Sequence, residues 1–177
     1  YEDINQRDSE VNRLYFLALR VVRGAISKPS YAMDDFAGAW ELFTARHIVI
    51  KIEKVADQQK RITRYLKGLK INEKAKAELK RIYSIMLESY LQVMKAYFSK
   101  DKKTAYDVEI GNKERIVTCN KFLEDSCERF PLSIEGEHAH KERHTYHSLT
   151  HLAKIVENLK AMSSSIKYIA RAVIEGE

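Results

Sequence analysis

The strongest constraint on this chain is how rarely its helical hydrophobic pattern is interrupted. Apolar residues recur at three- and four-residue spacing almost from end to end. Only six Gly and two Pro occur in 177 residues, and both prolines fall in short breaks between stretches of helix formers. The spacing predicts a first helix from Asp3 to Ala25, with Ile4, Val11, Leu14, Leu17, Val21 and Val22 on one broad face. Ser27 to Ser30, around Pro29, breaks it. A second helix is predicted from Met33 to Lys67, through Phe36, Trp40, Phe43, Ile48, Ile52, Val55 and Ile62. Gly68 to Asn72 reads as C-cap, turn and N-cap, opening a third helix from Glu73 to Ser99. Asp101 caps a fourth, Lys102 to Phe130, and after a break at Pro131 to Gly136 a fifth runs from Glu137 to Ile174. Five long helices joined by short turns predict an all-α, antiparallel helical bundle.

Composition then narrows the function. With 45% hydrophobic and 32% charged residues, the chain can bury a sizeable core, which excludes disorder. No apolar run approaches the roughly 18 to 20 residues of a membrane span, since Leu14 to Leu19 stops at Arg20. No signal peptide is recognisable. Cys119 and Cys127 lie in one predicted helix, about 12 Å apart by helical rise, too far to pair with each other. A reducing, cytoplasmic setting is the expectation. Catalytic signatures are missing: no Gly-rich phosphate loop, no Cys-x-x-Cys, no His-Glu-x-x-His and no nucleophile elbow.

The net charge of +6 is concentrated. Lys60, Arg61, Arg64, Lys67, Lys70, Lys74, Lys76, Lys80 and Arg81 are opposed in that window only by Glu73 and Glu78, and Lys100, Lys102 and Lys103 form a second cluster. Such patches attract nucleic acid, anionic lipid or an acidic protein surface. An ordinary solvated helix face has the same composition.

The sequence also resembles itself. A shift of 106 aligns Ile4 with Ile110, Arg7 with Lys113, Asp8 with Glu114, Val11 with Val117, Phe16 with Phe122 and Leu17 with Leu123. A shift of 107 aligns Ile48 with Ile155, Val49 with Val156, Ile52 with Leu159, Val55 with Met162 and Ile62 with Ile169. Two nearly equal shifts in the right order point to a duplication. The first repeat covers 1–70 and the second 71–177. The second has three helices and the first only two, so a complete design has a further helix upstream of Tyr1. A two-helix half cannot bury its apolar faces alone. Upstream residues, a dimer partner or the second repeat must cover it, and a homo-oligomer is one expected form.

With the repeat in place, the sequence resembles the PhoU family of phosphate-uptake regulators. INQRDSEVNRLYFLALR resembles the family's acidic Glu/Asp-x-x-x-Asp helix, and VNRLYFLALR is especially like archaeal members, where the domain often follows an AbrB-type DNA-binding module. ARHIVIKIEKVADQQKRI resembles the third-helix signature, and MLESYLQVMKAYFSKDKKTAYDVEI the joint ahead of the second acidic helix. The resemblance covers most of the chain and implies a double three-helix bundle that is not an enzyme. It implies action through contacts with a phosphate transporter or its signalling proteins. Some family members bind iron or zinc clusters through the acidic motifs.

Carried over residue by residue, that metal inference is uneven. Asp8 matches the first carboxylate of the acidic motif, but its partner position is Asn12; Glu53 and Asp57 match the third-helix carboxylates. Asp8, Glu53 and Asp57 could hold iron or another cation, or be surface carboxylates paired with Lys and Arg. In the second repeat Glu114 remains, but Thr118, Lys160 and Ser164 occupy the other positions and the site looks dead. Independently of the resemblance, His140, His144, His147 and His151 form one stripe on the fifth helix, with His138 and Glu137 just ahead. Neutral imidazoles at this spacing can bind zinc or nickel, respond to pH, or sit as a polar helix flank. Tyr83, Tyr90 and Tyr97 recur every seven residues, which fits helix packing with the hydroxyl at the rim.

These features support a non-enzymatic, cytoplasmic regulator of phosphate transport. A second reading is the effector or dimerisation half of a transcription regulator, touching DNA only through a module upstream of Tyr1. A third is a metal-dependent helical-bundle enzyme.

Overall fold

Among the described residues the chain is built from helices alone: α1 (Glu2–Ser27), α2 (Ala39–Leu66), α3 (Glu73–Ser99), α4 (Lys102–Ile110), α5 (Asn112–Glu128) and α6 (Ala139–Glu175). The computed structural model describes residues 2–27, 38–128 and 139–176, with side chains for all of these except 2, 5, 127, 128 and 139–146. The predicted breaks around Pro29 and Pro131, the second-helix positions Met33 and Phe36, and the Cys127 side chain lie outside the described residues. The expected all-α helical bundle is what forms.

The α6 helix is its axis. Leu152, Ile155, Val156, Leu159, Ile166 and Ile169 on it are all fully buried, because α2, α3, α4 and α5 each pack along it. Its long partner is α2, and three contacts fix their relative direction. Trp40 Nε1 donates to the Glu175 carbonyl at 3.1 Å, His47 meets Tyr168 edge-on in mid-length, and Tyr65 meets His151 edge-on at the far end. The two helices therefore run antiparallel over the whole of α2. Ile48, Val55 and Ile62 supply the buried stripe of α2, at seven-residue spacing.

The α3 helix begins and ends where the sequence says it should. Asn72 accepts a hydrogen bond from the Ala75 amide at 2.8 Å, and Asp101 caps α4 by accepting from the Thr104 amide at 3.0 Å. Between them Lys100 takes the left-handed conformation, φ 54°, that ends α3, with no glycine to do so.

Two local expectations are corrected. The predicted fourth helix is two segments, broken at Gly111. The Arg115 side chain curls back there to donate to the Val108 carbonyl at 2.9 Å, one of the orphaned carbonyls at the end of α4. A Cβ on Gly111 would lie 3.0 Å from Arg115 Nη1, so the missing side chain makes room for the guanidinium. Gly68, predicted as a left-handed C-cap, has no positive φ, and the cap of α2 is Lys67 in right-handed geometry. Glycine fits position 68 for another reason: a Cβ there would come 2.7 Å from His151 Cε1.

α1 is the exception to the close packing. It lies along α2 and along no other described helix. Its Val22 is buried, but Leu14 is 65% exposed, Phe16 60% and Leu17 53%. The apolar face predicted for the first helix is real, and half of it faces solvent.

Candidate functional site

The basic stretch at the end of α2 and the start of α3 is partly neutralised by its own neighbours. Lys60 is bonded to Asp8 across the α1–α2 contact, and Arg61 pairs with Asp57 one turn back at 2.7 Å. Lys76 pairs with Glu73 at 2.6 Å and Arg81 with Glu78 at 2.7 Å. These are the i, i+3 and i, i+4 pairs that helical spacing dictates. Lys67 is exposed and also takes part in an interaction. What remains without a carboxylate partner among the described residues is Arg64, Lys70, Lys74 and Lys80, all exposed around the α2–α3 turn. The usable positive surface is thus a compact cap on one end of the bundle.

Asp8, Glu53 and Asp57 are brought close enough to influence one another. Burial first, then the Asp57 and Asp8 carboxylates, push the Glu53 carboxyl above its usual range. Yet Asp8 already holds Lys60 and the Asn12 amide, and Asp57 holds Arg61. No group of three or more His, Cys, Asp or Glu side chains able to hold a metal occurs among the described residues. In this arrangement the three carboxylates do not fit a metal ligand set, because two of them already carry a cation of the chain. In the second half Lys160 donates to Asn120 at 3.0 Å, and Ser164 bonds its own helix at the Lys160 carbonyl.

Of the histidine stripe, His147 and His151 can be described; the side chains of His140 and His144, with residues 137 and 138, lie outside the described residues. The His147 and His151 rings are 4.1 Å apart between centroids. His151 sits between Tyr65 and the Gly68 backbone, and its Nδ1 is buried without a hydrogen-bond partner. The pair packs the far end of α6 against the α2–α3 turn, beneath the cationic cap.

Sequence reasoning passed over three features. His47 lies between Phe43 and Tyr168, and burial, then Lys51, lower its pKa; Lys51 itself stands 4.2 Å over the Tyr168 ring. Arg115 is buried in a network: its Nε donates to Ser163 Oγ at 2.9 Å, and Ser163 donates to Asn112 Oδ1 at 2.9 Å. A basic residue on the inner face of a predicted helix, facing the run Ser163–Ser165, was the available signal. Third, Arg20, Arg23 and Arg46 line one side of the α1–α2 contact without a carboxylate partner among the described residues. Cys119 is an ordinary core residue, whose thiol burial pushes up to about 11, far from a reactive thiolate.

Among the described residues no helix is long and apolar enough to cross a membrane. Compared with family models, curated proteins and solved structures, the chain matches none of them significantly.

Proposed function

We propose that this chain is a non-enzymatic regulatory module of phosphate transport, acting through protein–protein contacts. The observation that carries the contact part is the unequal closure of its two halves. Phe122 on α5 is 5% exposed beneath its neighbours, whereas Phe16 on α1 is 60% exposed. Exposed apolar area of this kind, continuous along Leu14, Leu17 and Val21, marks an interaction surface. The assignment to phosphate rests on the resemblance of the acidic helix, the third-helix signature and the helix–Asp–helix joint to the PhoU family. On this reading Asp8 holds α1 to α2 through Lys60, Asp57 pairs with Arg61 within α2, and the exposed Arg64, Lys70 and Lys74 contribute a second contact zone.

The test is phosphate uptake in phosphate-replete cells with and without the gene. Uptake that escapes repression when the gene is lost supports the reading. Unchanged uptake and unchanged phosphate-dependent expression detach the module from phosphate altogether.

A further inference from the structure

Beside the exposed Leu14–Val21 stripe, α1 and α2 leave a groove of about 490 Å³. Phe16, Leu19, Val22 and Ile26 give it an apolar lining, with Val22 buried at its base, and Arg20, Arg23 and Arg46 stand around it. Arg20 and Arg23 come from successive turns of α1 and Arg46 from α2, so the guanidinium groups belong to both walls. All three are exposed, and none has a carboxylate partner among the described residues. Elsewhere the arginines are mostly engaged: Arg7 with Asp3, Arg61 with Asp57, Arg81 with Glu78, Arg171 with Glu109 and Arg115 in its buried network. Arg13, about two turns earlier on α1, is likewise without a carboxylate partner among the described residues.

We propose that this groove receives an amphipathic helix of a partner protein whose polar flank is acidic. An apolar trough between two helices accepts the i, i+3, i+4, i+7 face of a third. Guanidinium groups on both rims match carboxylates bidentately, which fixes orientation as well as charge. The charge pattern also selects against a second copy of this chain. A twofold contact places the same patch against itself, bringing Arg20, Arg23 and Arg46 against their own equivalents with Glu10 as the nearby unpaired carboxylate. The groove and the acidic helix it fits are independent of whether the process regulated is phosphate transport.

The probe is a fluorescein-labelled synthetic peptide of about 18 residues, Leu on one helical face and Glu on the other, with Lys-for-Glu and Gln-for-Glu versions as controls. Binding is read by fluorescence anisotropy. The acidic peptide is expected to bind, Arg20→Glu with Arg23→Glu to weaken it at least tenfold, and Arg46→Glu to weaken it independently. Lys70→Glu with Lys74→Glu, at the other cationic surface, is expected to leave it within twofold. All substituted side chains are exposed, and circular dichroism confirms that each variant folds. Four outcomes overturn the proposal: no binding by the acidic peptide; equal binding by the Lys or Gln version; loss on Lys70→Glu with Lys74→Glu matching the loss on the arginine variants; or binding to phosphatidylglycerol vesicles that the arginine variants abolish while the peptide does not bind. Sedimentation provides the last check: a dimer of the unmodified chain that Arg20→Glu converts to monomer assigns the groove to a second copy and also overturns it.

Discussion

The Arg115–Ser163–Asn112 network gives the sharpest test of what holds α4, α5 and α6 together. Consider Ser163→Ala. Ser163 is fully buried, near the middle of α6. Its Oγ accepts from the Arg115 guanidinium and donates to Asn112 Oδ1, both at 2.9 Å. Removing the hydroxyl strips one hydrogen bond from a buried cation, a loss of about 1.5–3 kcal/mol, and one neutral bond, about 1 kcal/mol. Ala in place of Ser in a helix interior returns up to about 0.5 kcal/mol of intrinsic propensity. The balance is a destabilisation of about 2–3.5 kcal/mol, or a fall in melting temperature of roughly 4–14 °C for a chain of this length.

The sign is diagnostic, because propensity alone predicts a small gain. Arg115→Met is the companion. It removes the bonds to Val108 and Ser163 but also the desolvated charge, so its own cost is smaller than the sum of its bonds. In a double-mutant cycle followed by urea unfolding at 222 nm, the two changes should couple by at least about 1 kcal/mol. Additive effects, or a Ser163→Ala protein as stable as the original, would refute the claim that this network closes the break at Gly111.

Other perturbations have equally definite outcomes. Leu159→Ala, at a fully buried position on α6, should cost about 2–5 kcal/mol in urea unfolding, whereas Leu14→Ala on the exposed face of α1 should change stability by less than about 0.5 kcal/mol. Gly68→Ala drives a Cβ into the His151 ring, so it should lower the melting temperature, and His151→Ala in the same background should recover part of the loss. Glu53→Gln tests the raised carboxyl. A folded-state pKa above the unfolded one means that the native state loses stability as pH rises through that interval, so the substitution should stabilise at pH 7 and give no advantage below the unfolded carboxylate pKa. Because Glu53 is partly exposed, solvent screening keeps that gain to about 0.5 kcal/mol or less, and melting curves at several pH values read it.

What the sequence made legible was local. The bounds of α3 follow from Asn72 and Asp101, whose side chains cap amides three residues away. The buried stripe of α2 follows from the spacing of Ile48, Val55 and Ile62. The pairing of Asp57 with Arg61 follows from i, i+4 geometry without any tertiary information, whereas that of Asp8 with Lys60 requires α1 to lie on α2. Features set by distant residues were not legible. Gly68 reads as a helix cap until His151, far along the chain, is laid against it. Gly111 reads as a tolerated glycine inside one long helix until Arg115 is seen to need the space. The Arg20–Arg23–Arg46 groove requires α1 and α2 to be in contact before three scattered arginines become one surface.

The first helix shows why periodicity and burial must be kept apart. A helical repeat says which side chains share a face; how much of that face is covered depends on how many neighbours reach it. α6 has four packed neighbours, and its Leu152, Ile155, Val156, Leu159, Ile166 and Ile169 are fully buried. α1 has one, and α2 covers Val22 while leaving Leu14, Leu17 and Val21 in solvent. The shift of 106 pairs Phe16 with Phe122 and Val11 with Val117, yet Phe122 and not Phe16 is buried, and Val117 is 55% exposed where Val11 is half-buried. Among the described residues the second half of the chain does not cover Leu14 or Leu17. If only the apolar area drove what does, any greasy helix would serve. The unpaired arginines beside it make the difference between a helix that collapses onto α1 and one that is recognised there, which is why charge reversal at Arg20 and Arg23 is the more informative substitution than truncation of the leucines.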